Sequence, residues 1–185
     1  MAKTAAYGIS SVSLATPVAG SFPTSFTGSD TFSFKAIVQD SVQFNDAAPG
    51  TNDINVEETD DIYATLNSDN GTKGFTMQTY DLSEESYKYL MGFTKGVDKW
   101  NVEPTQRLKL LKAVQIVTRS FDDFPSKTFQ WAKMDITVTK AGTIGKSGFP
   151  NLSLEFKQLA NYDANGDIKS GHRWALTEDV KSGGD

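Results

Sequence analysis

Residues 151–176 read NLSLEFKQLANYDANGDIKSGHRWAL, and apolar residues recur at every second position on both sides of the segment DANGD. This period predicts β-strands with one buried face, because successive side chains of a strand point to opposite faces of its sheet. Both runs use even positions, namely Leu152, Leu154, Phe156, Ala160 and Tyr162 before the turn and Ile168, His172, Trp174 and Leu176 after it.

The length of the turn between these strands follows from the fact that both apolar sets occupy even-numbered positions. A two-residue turn at Asn165 and Gly166 would pair even with odd positions and put the apolar sets on opposite faces, which a half-buried sheet does not tolerate. A three-residue loop over 164–166 keeps them on one face. In that loop Asp163 opens a type I turn, and Gly166 takes the left-handed conformation.

This register predicts that Phe156 faces Trp174 across the hairpin. The same stretch has the acidic spacing of a calcium loop, but its glycine stands at the wrong offset and Trp174 stands where the terminal glutamate belongs. We therefore predict no metal site in the turn.

Two more alternating regions predict strands nearer the amino terminus. In Thr31–Gln39 the apolar residues share one face. Segments 62–66 and 74–80 flank an Asn-Gly dipeptide at 70–71, which predicts a hairpin that turns there. The shared face of the first region consists of Phe32, Phe34, Ala36 and Val38.

The middle of the chain predicts two strands. Residues 133–139 alternate cleanly. Residues 105–121 fit a helical stripe as well, but the β-branched cluster Val114, Ile116, Val117 and Thr118 favours extended backbone, so a strand is the preferred interpretation.

One short helix is predicted at about residues 82–92. Ser83 can cap it, two glutamates follow in its first turn, and Leu82 can pack against Tyr87 as a hydrophobic staple. Gly92 provides a stop. The pattern therefore predicts one mainly β domain over residues 1–180, with this short helix packed on a sheet, followed by a disordered tail at 181–185.

Composition argues against enzymatic chemistry. The 185 residues include no cysteine and one histidine, which excludes thiolate zinc sites, a cysteine nucleophile and multi-histidine metal sites. No phosphate-binding or dinucleotide-binding glycine motif is present. His172 lies on the apolar side of a predicted strand, so a packed or edge histidine is expected. We predict no catalytic residues, no cofactor and no metal.

Charge is distributed unevenly along a chain of net charge −5. Residues 1–70 carry 2 basic and 9 acidic side chains, a net −7. Residues 71–150 carry 12 and 8, a net +4. Patches of opposite sign can join copies of one chain head to tail.

The acidic side chains concentrate at the end of a polar segment, Asn45–Asp61, interpreted as a loop. This segment is too polar to pack into its own domain and too long for a simple connector, so we predict that it contacts neighbouring subunits. Its carboxylates belong to Asp53, Glu57, Glu58, Asp60 and Asp61, and their candidate basic partners are Lys99, Arg107, Lys109, Lys112 and Arg119.

Neither a secretory signal nor a membrane span is recognisable in the sequence. Residues 1–7 have no apolar core of the length that a signal requires, and no run approaches the roughly 18 apolar residues of a spanning helix. We expect a protein that is made and kept in a cytoplasm and does not enter a membrane; a mature secreted form whose signal had been removed would have the same features.

The order of these features resembles the major tail tube proteins of bacteriophages. The resemblance rests on the aromatic strand 32–38, the polar loop with its acidic run, the segment DIYATLNSDNGTKGFTMQTYD followed by LSEESYKYLMGF, and the closing hairpin around DANGD. It covers most of the chain, from about Val12 to Leu176.

The resemblance implies a structural virion protein. Members of that family fold as a β-sandwich or half-barrel flanked by a helix. Six copies form a ring whose inner sheets join into one barrel, and the rings stack into a tube that conducts the genome. It implies other tail proteins as further partners and DNA that passes without specific binding, for which a negative lumen is expected because lysine and arginine supply nonspecific phosphate affinity.

Two other functions remain open at this point. One is a monomeric carbohydrate-binding β-sandwich that uses exposed aromatics among Tyr63, Trp100, Trp131 and Trp174. The other is a hydrolase that uses the acidic run, although adjacent carboxylates point to opposite sides of an extended backbone.

Overall fold

The computed structural model describes residues 7–55, 62–69, 71–146 and 148–182. Fourteen strands and two helices lie in these ranges. The strands are β1 Tyr7–Ala15, β2 Phe32–Ser33, β3 Gln43–Phe44, β4 Thr51–Asn55, β5 Ile62–Asn67, β6 Gly74–Thr79, β7 Thr94–Lys95, β8 Asn101–Val102, β9 Leu110–Arg119, β10 Lys127–Ala141, β11 Asn151–Gln158, β12 Asn161–Tyr162, β13 Ile168–Lys169 and β14 His172–Leu176. The helices are α1 Glu84–Met91 and α2 Thr177–Ser182.

Eight strands form one antiparallel sheet. Seven follow the order β2-β1-β9-β10-β11-β6-β3, and β14 pairs with β10. The remaining strands form three two-stranded ladders, β4–β5, β7–β8 and β12–β13. The prediction of a mainly β fold with a short flanking helix is confirmed, and the sheet does not close into a barrel.

The sheet curls because a short segment joins its two edges. We call residues 34–42 the strap. The N–H of Phe34 donates to the Val12 carbonyl of β1 at 2.9 Å, and the Ala36 carbonyl accepts from Tyr80, just after β6, at 3.0 Å. Two residues span at most about 7 Å, whereas β1 and β6 would be about 19 Å apart in a flat sheet. The strap therefore holds the edges of a half-barrel together.

The strap also corrects the predicted strand at Thr31–Gln39. Regular pairing stops at Ser33, and Ala36 takes a left-handed φ of 48°. Phe32 and Phe34 are buried as expected, but Ala36 is exposed. Alternation predicted which aromatics enter the core, and it did not reveal that the chain leaves one edge of the sheet for the other.

The core fills the concave face of the sheet. Alternate residues of β11 and β6 are fully buried, and the Phe75 and Phe156 rings stack with their centroids 4.2 Å apart. The predicted strand at 133–139 lies within β10, and the preference for strand within 105–121 is confirmed by β9.

The predicted helix is confirmed in detail as α1. The Ser83 side chain accepts from the N–H of Ser86, and Gly92 ends the helix at φ 74°. Leu90 is buried, and Leu82 and Tyr87 pack against the core. Helix α2 reaches two residues beyond the predicted domain boundary at 180, and residues 183–185 of the predicted tail lie outside the described residues.

The predicted pairing of Phe156 with Trp174 is wrong. Phe156 lies opposite Ile136 of β10 and Phe75 of β6, whereas Trp174 lies opposite Phe129. The fifteen-residue β10 pairs with β14 along its first third and with β11 along its second half. The two strands of the predicted hairpin, β11 and β14, therefore pair with different parts of β10 and not with each other.

The turn itself is confirmed. Tyr162 pairs with Ile168, the Gly166 N–H donates to the Asp163 carbonyl at 3.1 Å, and Gly166 has φ 86°. The Asp163 carboxylate accepts from the N–H of Asn165 at 2.9 Å. Local chemistry thus sets the turn and its register, and the pairing lasts only through β12 and β13.

Substituting Gly166 by valine is expected to cost about 1–2 kcal/mol of unfolding free energy, because a β-branched residue fits a left-handed φ poorly. A Cβ at Gly166 would meet no atom within 4 Å, so the cost is one of backbone conformation alone. Gly145→Val is the matched control, since that site is equally open and has no left-handed φ. Urea unfolding of both variants measures the difference, and equal losses would contradict the assignment.

Candidate assembly surfaces

A two-stranded ribbon leaves the sheet at its β3–β6 edge. We call residues 50–68, which contain β4 and β5, the arm. Its strands continue the β3–β6 ladder through a hydrogen bond from the Asn45 N–H to the Gly74 carbonyl at 2.9 Å and a bridge between Ala47 and Thr72. The predicted loop 45–61 is therefore wrong in part, because residues 51–55 form a strand.

The predicted hairpin of 62–66 with 74–80 is also wrong. Segment 62–67 pairs with β4, and β6 pairs with β3 and β11. Gly71 has the expected positive φ of 68°, but the chain does not reverse there. A Cβ at Gly71 would lie 2.3 Å from the Ala47 carbonyl oxygen. Glycine is needed at position 71 because the backbone there passes close to that of Ala47. The antiparallel pairing of β4 with β5 requires that the chain reverse between Asn55 and Ile62.

The base of the arm is fastened by one carboxylate. Asp69 Oδ1 accepts from the Gly71 N–H at 2.6 Å and from the Gly50 N–H at 3.1 Å. These two hydrogen bonds hold the pKa of Asp69 below its usual value, and the bond from Gly50 has the larger effect. The Ser68 N–H also donates to the Gly50 carbonyl at 2.7 Å. The ends of the arm therefore lie side by side.

The arm exposes apolar side chains. Leu66 and Ile62 are each 56% exposed and Ile54 is 40% exposed. Ile54 pairs with Ala64, and Asn52 pairs with Leu66, so these residues share one face. An isolated two-stranded ribbon is marginally stable in water, and a ribbon with an apolar face is therefore suited to bind a partner.

The acidic candidates belong to this arm. Asp53 is exposed on β4 and accepts a hydrogen bond from the Thr65 hydroxyl at 2.7 Å. Glu57, Glu58, Asp60 and Asp61 lie outside the described residues. Their positions in the sequence place them between the two strands of the arm.

The five basic candidates do not form one patch. Lys99 lies in the β7–β8 turn, and Arg107 and Lys109 line a cavity of about 250 Å³ between α1 and β10. The Lys112 ammonium lies over the Tyr89 ring at 5.0 Å, and the Arg119 Nε donates to the Ile9 carbonyl at 3.0 Å. Arg119 ends the ten-residue β9, so it lies at the opposite end of the sheet from Lys109.

A set of exposed apolar residues, which alternation did not predict, lies where β6 and β10 end. Phe149 is 78% exposed, and its ring lies edge to face with that of Tyr80 at a centroid distance of 6.2 Å. The β7–β8 hairpin is joined to the same region by an ion pair of Lys140 with Glu103 at 2.7 Å. We call this surface the apolar end; it comprises Tyr80, Val97, Trp100, Ile144 and Phe149.

Aromatic rings support the base of the arm. The ring of Phe44 in β3 packs beside those of Phe129 and Trp131 in β10, with 6.3 Å between ring centroids in each pair. His172 of β14 stacks on Trp131 with ring centroids 4.7 Å apart. His172 is exposed on β14, which pairs with β10 at the side of the sheet, so of the two expectations, a packed or an edge histidine, the edge position is confirmed. Burial lowers the pKa of His172 from 6.5, Asp46 raises it, and Lys73 lowers it further.

This environment predicts a pH-dependent stability. The pKa of His172 is lower in the folded than in the unfolded state, so the unfolded state binds the proton more tightly. The stabilisation is complete above pH 6.5 and is lost as the pH falls from there toward the folded pKa. Urea unfolding between pH 5 and 8 should show this loss. His172→Phe, which keeps a stacked ring, should lack it, so the difference in unfolding free energy between the two proteins should change with pH. Identical pH profiles would contradict the prediction.

The turn at 163–166 has a structural role. Lys169 forms an ion pair with Asp163 at 3.0 Å, and this contact, followed by backbone N–H donors, lowers the pKa of Asp163. An ammonium thus occupies the position that a cation would take. Among the residues with described positions, no group of three or more histidine or acidic side chains could hold a metal ion.

The aromatic residues proposed for carbohydrate binding are dispersed. Trp131 is buried, with 4% exposure, so it cannot stack on a sugar. Trp174 and Trp100 are exposed, but the Lys127 ammonium lies over the Trp174 ring at 4.9 Å. The Tyr63 side chain lies outside the described part of the chain.

Comparisons with models of known protein families and with curated proteins find no match for this chain. In the described ranges no helix has the length and apolar content needed to cross a bilayer.

Proposed function

We propose that this chain is a non-enzymatic structural subunit that polymerises, with a major tail tube protein as its specific role. The observation that carries the proposal is the arm, a ribbon with an exposed apolar face and an acidic sequence between its strands. Such a ribbon gains most of its stability from a partner. The curled antiparallel sheet is compatible with the half-barrel that the family resemblance implies.

In this proposal the partner of the arm is a second copy of the chain. Six copies form a ring, and rings stack head to tail with the arm reaching the next ring. The apolar end is a suitable acceptor, because it offers exposed aromatic and aliphatic side chains near Lys99 and Lys95. Heterologous contacts between two different patches generate a stack rather than a closed dimer.

The proposed setting is the tail of a virion whose subunits are made in a bacterial cytoplasm. The other tail proteins are its further partners, and DNA passes through a net negative lumen without specific binding. The net charge of −5 supports this, because counterion release by basic groups is the source of nonspecific DNA affinity.

Negative-stain electron microscopy and light scattering of the purified chain test the proposal. Rings of six subunits, or tubes built from them, are expected as concentration rises. A chain that stays monomeric at every concentration and binds insoluble polysaccharide would instead favour the carbohydrate-binding alternative. A closed twofold dimer with a basic interior would exclude the tube.

A further inference from the structure

A large open cleft lies between the strap and the ends of β1, β9 and β10. Its volume is about 890 Å³, within the range of small-molecule sites. One wall is formed by the ends of β1, β9 and β10 and the other by the strap and β3. The lining is polar and apolar in about equal parts, and its apolar side chains include those of Ile9, Phe34, Ile37, Val42, Ile116 and Phe129.

Beyond Phe34, which bonds to β1, the strap is hydrogen-bonded to the β6 side of this cleft. The Val38 N–H donates to the Gln78 carbonyl at 2.9 Å, and the Ser41 hydroxyl donates to the Val38 carbonyl at 2.7 Å. The strap is therefore fastened to β6, and its other side faces the ends of β1 and β9 across the gap.

Two residues of the strap adopt strained backbone conformations. Ala36 and Asp40 have φ of 48° and 58°, and neither is glycine. Conformations of this kind persist only where the surroundings impose them, and they cluster at ligand sites. The strained residues lie on either side of Ile37, which points to a wall with an imposed shape.

One cation stands at the mouth of the cleft with a fixed position. The Nε of Arg119 donates to the Ile9 carbonyl at 3.0 Å, which orients the guanidinium and leaves its terminal N–H groups as donors. Asp40, the acidic residue of the lining, belongs to the opposite wall.

We propose that the cleft binds an amphipathic carboxylate, with the carboxylate on Arg119 and an aliphatic chain along the apolar lining. A forked guanidinium matches a carboxylate with two parallel hydrogen bonds. The aliphatic chain would gain by leaving water along Phe34, Ile116 and Phe129. This binding site goes beyond the proposed function and does not depend on it.

Displacement of a dansyl-labelled undecanoic acid from the full chain tests the proposal. Dodecanoate should compete at one site per chain, and Arg119→Gln should weaken it by roughly tenfold or more, since a charge-assisted pair is lost. Lys146→Gln, at an exposed cation between β10 and β11 that lines neither cavity, is the control and should leave the affinity unchanged. Dodecan-1-ol, which has no carboxylate, should bind Arg119→Gln and the unmodified chain alike.

A second variant keeps the test decisive if Arg119→Gln fails to fold. Ser10 is an exposed residue of the lining, and Ser10→Trp should block the cleft and abolish binding of both competitors, with an unchanged thermal melt. The proposal is overturned by an absence of saturable binding, by equal dodecanoate affinity in folded Arg119→Gln, or by full binding to Ser10→Trp. Ligand binding is measured per chain, whether or not the chain polymerises. A failure to polymerise would therefore count against the proposed function and not against this binding site.

Discussion

Replacing residues 51–67 by two glycines is expected to abolish assembly and leave a folded domain. The replacement joins Gly50 to Ser68, which already approach closely, since the Ser68 N–H donates to the Gly50 carbonyl at 2.7 Å. The core and the eight-stranded sheet remain complete. Deleting residues 47–58, the choice that a simple loop would suggest, would instead remove β4 and leave β5 unpaired.

Sedimentation and electron microscopy measure the loss of polymer, and circular dichroism with urea unfolding measures the fold. Leu66→Ser is a smaller change that should weaken assembly, and Ile168→Ser is its control, because Ile168 is 71% exposed on a different hairpin. Polymers of the unmodified chain should also weaken as salt rises, because exposed charge pairs are screened. Full tubes from the shortened chain, or equal effects of Leu66→Ser and Ile168→Ser, would exclude the arm as the contact.

The second large effect is expected in the core, where Phe75→Ala and Phe156→Ala should each cost about 3–5 kcal/mol of unfolding free energy. Both side chains are almost fully buried and stack on each other at 4.2 Å. Because each truncation removes the partner of the other, the double variant should lose less than the sum of the single losses.

Trp174 provides the control for this cycle. The hairpin register extended from the turn would couple Phe156 with Trp174, whereas the structure pairs them with different residues. Phe156→Ala and Trp174→Ala should therefore have additive effects in urea unfolding. Phe156→Leu serves in place of the alanine variant if the chain does not fold. Strong coupling of Phe156 with Trp174 would show that the sheet register is misassigned.

Local signals in the sequence were sufficient for elements that depend on neighbouring residues. Ser83 and Gly92 bound a helix through hydrogen bonds within a few residues of each end. The turn at Asp163 and Gly166 likewise has backbone hydrogen bonds between residues at most four positions apart. The β-branched cluster of β9 predicted its strand for the same reason, because branching at Cβ acts on the residue's own backbone.

Partners between strands could not be predicted in this way. Alternation says which face of a strand is buried and does not say which strand lies beside it. The Asn-Gly dipeptide at 70–71 indicated a turn, but Gly71 serves a close approach to Ala47, a contact that exists only once β3 lies on β6. Segment 62–67 consequently pairs with β4 and forms the arm.

By itself the sequence determined that this protein is mainly β, where its helix and closing turn lie, and that Phe32, Phe34 and Phe156 enter its core, because these follow from periodicity and short-range hydrogen bonds. Tyr162 and Trp174 alternate in the same way and are more than half exposed. Only the tertiary structure decided that β10 pairs with both β11 and β14, that the strap joins the sheet edges, and that an arm and a cleft result. Those features depend on contacts between residues far apart in the chain, and several strands with similar alternation could have satisfied the same pattern.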